Sequence, residues 1–200
     1  MEKHSKVVGL PVYCTGNNKK LGIIKDVLYC MEEKQAKAIL LQENGIMQKK
    51  RIILLKDISK IGEDAVIIRS ETAKQYMGYK KDGIKRDRVR KNEVNRDGVN
   101  RDGAQVNGAR QDKIMEMKVY SRAGEELGII KDVLFDCETG NIEGVEISGG
   151  ILQDMVEGRK VLPFIGRYEF GEDILLVDED VVGEMTSTGG GIKNKLFGGK

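Results

Sequence analysis

This 200-residue chain has no tryptophan, and aromatic residues make up only 5% of it. Its core must therefore be built from Ile, Leu and Val. It has one histidine, His4, which excludes a multi-histidine metal centre and argues against a Ser-His-Asp triad. It has three cysteines, Cys14, Cys30 and Cys137, with no pair at C-x-x-C spacing. An odd, unpaired set suits free thiols in a reducing compartment. No stretch approaches the ~20 apolar residues of a membrane span. The apolar run Val7 to Val12 is too short for a signal-peptide core. The chain reads as cytoplasmic, and its composition announces no reaction and no cofactor.

What the chain does have is a repeat. Leu21 to Leu28 reads L-G-I-I-K-D-V-L, and Leu127 to Leu134 reads the same. The match extends outward: Val12-Tyr13 with Val119-Tyr120, Tyr29 with Phe135, and Gly62-Glu63-Asp64 with Gly171-Glu172-Asp173. The offset between copies grows from 106 at Leu21 to 109 at Gly62. The second copy has thus gained three residues, between Ser148 and Arg159. Such length changes belong in loops, because inside a strand they would turn side chains to the wrong face. A spacing this long marks duplicated domains, not a solenoid. Units of roughly 70 residues bury modest cores, so the two copies are expected to dock on each other.

Net charge is +2, but it is unevenly spread. Residues 1–79 carry a net +5, residues 80–113 another +5, and residues 114–200 a net −8. A basic copy and an acidic copy could attract each other. Surface drift after duplication would leave the same asymmetry.

Both copies read as all-β. Short β-branched runs alternate with Gly, Asn, Asp and Lys clusters, the signature of a small barrel or sandwich. In the first copy the strands are expected at Val7–Val12, Gly22–Cys30, Ala36–Gln42, Arg51–Leu55 and Ala65–Arg69. In the second they are expected at Ile114–Tyr120, Gly128–Phe135, Ile142–Ser148, Lys160–Phe164 and Ile174–Val177. The paired apolar residues Ile23-Ile24 and Val27-Leu28 break strict alternation and point to a bulge near Lys25-Asp26. Gly22 and Gly128 suggest a close approach of another backbone. Glu138 to Asn141 reads as a hairpin turn. Short flanking helices are expected at Glu71–Tyr79 and Asp178–Met185. The domains are then 1–79, a disordered basic linker over 80–112, a second barrel over 113–185, and a disordered Gly-rich tail over 186–200. The linker has too few large apolar side chains to offset chain entropy.

This pattern resembles the PRC-barrel family: an apolar strand with Gly and I-K-D-V-L, a variable turn, an apolar strand, and a Gly-Glu-Asp turn before a last strand. The resemblance covers about 70 residues twice and leaves out only the linker and tail. It implies two small PRC-type β-barrels. The family includes the cytoplasmic domain of the photosynthetic reaction-centre H subunit and the C-terminal domain of a ribosome-maturation protein. It also implies a scaffolding or binding module with no shared catalytic residues.

Asp26 and Asp132 recur amid apolar residues. Each is either a partner contact or a structural carboxylate accepting backbone N–H groups at a bulge. The Gly-Glu-Asp acids read as solvent-facing turns. Lys49, Lys50 and Arg51 form a basic loop cluster. With Arg86, Arg88 and Arg90 of the linker they could meet RNA phosphates or anionic lipid. No aromatics interleave with the linker charges, so base stacking is unavailable there. Ile192, Leu196 and Phe197 could form a short docking motif in the tail. The expected function is a non-enzymatic bacterial adaptor that binds another macromolecule, above all a protein. The alternative is association with RNA, the ribosome or an anionic membrane surface through the basic half.

Overall fold

A computed structural model describes residues 1–31, 33–43, 50–69, 109–110, 114–171 and 173–188. In chain order the elements are β1 (Glu2–Lys3), a single helical turn α1 (His4–Val7), β2 (Pro11–Cys14), β3 (Lys19–Cys30), β4 (Gln35–Glu43), β5 (Lys50–Leu54), β6 (Ile58–Ile61), β7 (Val66–Ile68) and β8 (Ala109–Arg110). They continue with β9 (Lys118–Ser121), β10 (Glu126–Phe135), β11 (Ile142–Ser148), α2 (Ile151–Glu157), β12 (Lys160–Pro163), β13 (Tyr168–Phe170), β14 (Ile174–Val177), α3 (Glu179–Gly183) and β15 (Thr186–Ser187). The chain divides into two compact units, Lys6–Ala109 and Met1–Ser5 with Arg110–Lys200.

The two sheets have one topology. The first runs β5-β4-β3-β2-β7-β6. The second runs β12-β11-β10-β9-β14-β13, with β15 added on β12. In each, a parallel pair joins corresponding strands, Val12 opposite Val66 and Val119 opposite Leu175. Each is a mostly β barrel with a mainly aliphatic interior, into which Tyr29 is buried in the first and Phe135 in the second. Val12, Ile24, Ile39, Val66 and Ile68 fill the first, and Val119, Ile130, Val145, Leu162 and Leu175 the second.

The repeated octapeptide has a specific geometric job. In both copies the register of the long strand slips at the same point, between Ile24 and Asp26 against β4 and between Ile130 and Asp132 against β11. Lys25 and Lys131 are the extra residues. A second slip follows at Leu28/Tyr29 and Leu134/Phe135. Two bulges let paired apolar residues keep facing buried ground while the strand coils. Ahead of the bulge, the glycine is obligatory. A Cβ on Gly22 would lie 2.1 Å from the carbonyl oxygen of Gln42, and one on Gly128 would lie 2.4 Å from that of Ser148.

The structure corrects several sequence expectations. Strands were expected from Val7 and Ile114, but they begin at Pro11 and Lys118. Gly9 (φ +93°) and Glu116 (φ +68°) break the extended backbone first. Val7 and Ile114 stay buried all the same. The short strands β6 and β13 carry too few residues to show a period in the sequence. The second flanking helix is α3, shorter than the expected Asp178–Met185. The first, Glu71–Tyr79, lies outside the described residues. The three-residue gain does fall between β11 and β12, but it contributes to a helix, α2, instead of a plain loop. The hairpin turn at Gly140 (φ +78°) is held by Asp136. Its carboxylate accepts from the Thr139 N–H at 2.7 Å, the Thr139 hydroxyl at 2.9 Å and the Glu138 N–H at 3.0 Å. The Thr139 bonds foremost hold that carboxyl below its ordinary range.

The chain termini of the copies carry an exchange that the sequence does not announce. Glu2 pairs with Phe135 and Lys3 with Leu134, so β1 adds to the long strand of the second sheet. β8 adds to the long strand of the first. By the offset at Val12 and Val119, Glu2-Lys3 and Ala109-Arg110 are the same two positions of the repeat. Each long strand is thus lengthened sideways by the segment that leads into the other copy. Residues 1–5, expected in the first domain, group with the second barrel, and residues 109–110, expected in the linker, form a strand. Thr186 and Ser187, expected in the tail, pair with Val161 and Lys160.

Candidate interaction surfaces

The bulge turns Asp26 and Asp132 to the same register position, opposite Leu40 and Glu146 respectively. Both carboxylates are buried, at 6% and 2% exposure. Each accepts the N–H of the following residue, Val27 at 2.7 Å and Val133 at 2.9 Å. That bond satisfies an amide the bulge would otherwise leave without a partner. Asp132 has a further occupant: it accepts the Ser5 N–H at 3.0 Å and the Ser5 hydroxyl. The aspartate therefore anchors the segment that carries β1.

Beside it lies the main chemical difference between the barrels. Glu146 is 3% exposed and forms an ion pair with Lys3 of β1. The Arg159 guanidinium lies 3.7 Å from Glu146 and 3.7 Å from Asp154, and Asp154 accepts the Ser148 hydroxyl at 2.6 Å. A buried carboxylate must be paired, and here two cations serve it. The equivalent ground in the first barrel is aliphatic: Leu28, Ala38, Leu40 and Ile52 are buried together, with Leu54 against them. The sequence reading missed Glu146. An acid at a strand position whose counterpart is leucine was the available signal.

The helix α2 is inverted in its amphipathicity. Ile151, Leu152, Met155 and Val156 lie at i, i+1, i+4 and i+5, one face of a helix. An apolar stripe ordinarily faces a core. Here Ile151 and Leu152 are 80% and 81% exposed and Met155 56%, and no residue of the helix is buried. The polar side turns inward instead, where Asp154 meets Ser148 and Arg159. Gly150 (φ +119°) and Gly158 (φ +82°) bracket the helix and let the chain turn sharply at both ends. A shallow open depression beside it is lined by Ile151, Asp154, Met155, Gly158, Arg159 and Thr188.

Of the basic residues singled out in the sequence, Arg51 forms an ion pair with Glu43 across the β4–β5 hairpin. Lys50 opens β5. Lys49, Arg86, Arg88 and Arg90 lie outside the described residues. Glu63 and Asp64 are exposed in a turn closed by the Gly62 N–H to the Ala65 carbonyl, 2.9 Å. Cys14 and Cys30 are buried, and Cys137 is half-buried with its thiol pushed up by burial. Among the described residues, no group of three or more His, Cys, Asp or Glu could hold a metal ion. No helix among them is long and apolar enough to cross a membrane.

Residues 1–75 and 107–182 each match the PRC-barrel domain family. The chain belongs to that family and carries two of its domains in tandem. The second match begins at residue 107, just ahead of β8, as the first begins just ahead of β1. Domains of this family are generally non-catalytic modules. Comparison with curated proteins returns no match.

Proposed function

We propose that this protein is a non-enzymatic adaptor that binds another protein through its second barrel. The observation that carries this reading is the outward apolar face of α2. A large aliphatic side chain gains roughly 1.5–3 kcal/mol when fully buried, and four of them stand in solvent on one short helix. Contiguous exposed apolar patches mark interaction sites on soluble proteins. The face sits on the element by which the second copy departs in length from the first, so it belongs to the function of this copy and not to the shared barrel. The test is affinity purification from the native cell with the wild-type chain and with Leu152→Glu. A specific protein captured by the first and lost with the second is the expected result. Equal capture by both would remove α2 from the contact.

A second reading rests on charge. The net +5 of residues 1–79 and of residues 80–113 favours RNA or ribosomal phosphates, or an anionic membrane surface. Phosphate-driven binding weakens steeply with salt. Retention of the chain on RNA or anionic vesicles at low salt, with release at moderate salt, is the expected behaviour. No retention at low salt would end this reading.

The two halves, 1–79 and 114–185, are also proposed to associate when expressed separately. Their opposite charge supports this, as does the pairing of β1, which lies in the first half, with β10 in the second. Sedimentation of the mixture as two independent monomers would refute it.

A further inference from the structure

We infer that the C-terminal segment, residues 189–200, docks on the outward face of α2 and covers it until a partner displaces it. The regulatory part rests on the proposed binding role of that face; the docking itself does not.

The path of the chain brings the segment to the site. β15 pairs with β12, the strand that follows α2. The Ser187 hydroxyl donates to the Glu157 carbonyl at the end of α2, 2.7 Å, and the Thr188 N–H donates to the Arg159 carbonyl, 2.8 Å. Thr188, the last described residue, lines the same depression as Ile151 and Met155. Three glycines follow it and then Ile192. Those four steps can span up to about 13 Å, and α2 is about 10 Å long. Every apolar residue of α2 is therefore within reach.

The composition of the segment suits the face. Its apolar residues are Ile192, Leu196 and Phe197, the first two at helical spacing. Its charges are Lys193, Lys195 and Lys200, with no acid. Residues 114–188 carry a net −11, and α2 itself contributes Asp154 and Glu157. A second copy of α2 is the poorer occupant, because two identical helices would bring like charges together. A tethered segment also has an effective concentration in the millimolar range for a short linker, which a second molecule does not reach.

Hydrogen exchange on the full chain tests the docking. Amides of residues 151–157 are compared in the wild type, in a chain ending at Thr188, and in Leu196→Ala/Phe197→Ala. Both variants keep β15. About tenfold faster exchange in both variants is expected, corresponding to roughly 1.4 kcal/mol of lost protection, with wild-type protection independent of protein concentration. Unchanged exchange in both variants overturns the inference. So does protection that grows with concentration alongside a sedimenting dimer, which would assign the face to a second copy. The partner experiment is separate: faster exchange with capture indifferent to Leu152→Glu would sustain the docking and defeat the adaptor reading of α2.

Discussion

The same sheet position holds Leu40 in the first barrel and Glu146 in the second, each opposite the repeated aspartate and each almost wholly buried. The strand order, the parallel pair, both bulges and the obligatory glycine are identical around them. What differs is the set of near neighbours. The second barrel receives Lys3 on β1 and holds Arg159 after α2, so a carboxylate can be sealed there with its counter-charges. The first is built around aliphatic neighbours, Leu28, Ala38 and Ile52. The frame is thus indifferent to polarity at this point, while the local neighbours are not.

Exchanging the two residues breaks the comparison most sharply. Leu40→Glu puts a carboxylate among aliphatic side chains and is expected to cost about 4 kcal/mol. Glu146→Leu removes a buried ion whose desolvation offsets most of its pairing energy, and is expected to change stability by no more than about 1 kcal/mol. Urea unfolding of both variants measures this. Similar losses for the two would mean that the ion cluster is a requirement of the second barrel and not a local substitute for packing.

The glycines sharpen what the copies share. Gly22→Ala and Gly128→Ala each drive a Cβ into the backbone of the neighbouring strand, and each is expected to cost about 3 kcal/mol. Gly128 also has φ +139°, so its substitution should be the worse by about 1 kcal/mol. Losses under about 1 kcal/mol at both would show that the strands part easily at this point.

A smaller difference concerns β1. Asp132→Ala removes the acceptor of Val133 and of both Ser5 donors, and is expected to cost about 2 kcal/mol. Ser5→Ala should cost less, and the double variant should show a coupling of about 1 kcal/mol. Independent effects would mean that Ser5 does not hold β1 through Asp132.

Much of this frame is legible in the sequence because it is enforced by local sterics. An eight-residue identity, a glycine with no room for a Cβ and doubled apolar residues at a bulge all leave marks in one strand. The three-residue offset located the α2 insertion. Other features leave weaker marks. β1 and β8 are two residues each, too short for any period, and their pairing is with a strand of the other copy. Glu146 reads as an ordinary alternating polar residue until Lys3, 143 positions away, is seen against it. The apolar positions of α2 suit a buried helix as well as an inverted one, and only the contacts of Asp154 with Ser148 and Arg159 distinguish them.

The smallest expected effect lies at the strands β6 and β13. Ile58 is opposite Ile68 in the first barrel, and Tyr168 is opposite the corresponding Val177 in the second. The Tyr168 hydroxyl donates to the Pro163 carbonyl, and its ring lies 4.5 Å, centroid to centroid, from that of Phe164. Burial pushes the phenol up to about 12 from an ordinary 10.0. Between those values the unfolded chain has released this proton and the folded chain has kept it. Stability therefore falls as pH rises through that window and is fully present below it. Tyr168→Phe keeps the ring against Phe164 and removes the proton. Its stability at neutral pH should drop slightly for the lost hydrogen bond, but it should decline less steeply than the wild type from pH 10 to 12. An Ile58→Val change in the first barrel, which touches no titrating group, should leave the wild-type alkaline slope intact. If Tyr168→Phe leaves that slope intact as well, the phenol titrates at its ordinary value and β13 does not shield it.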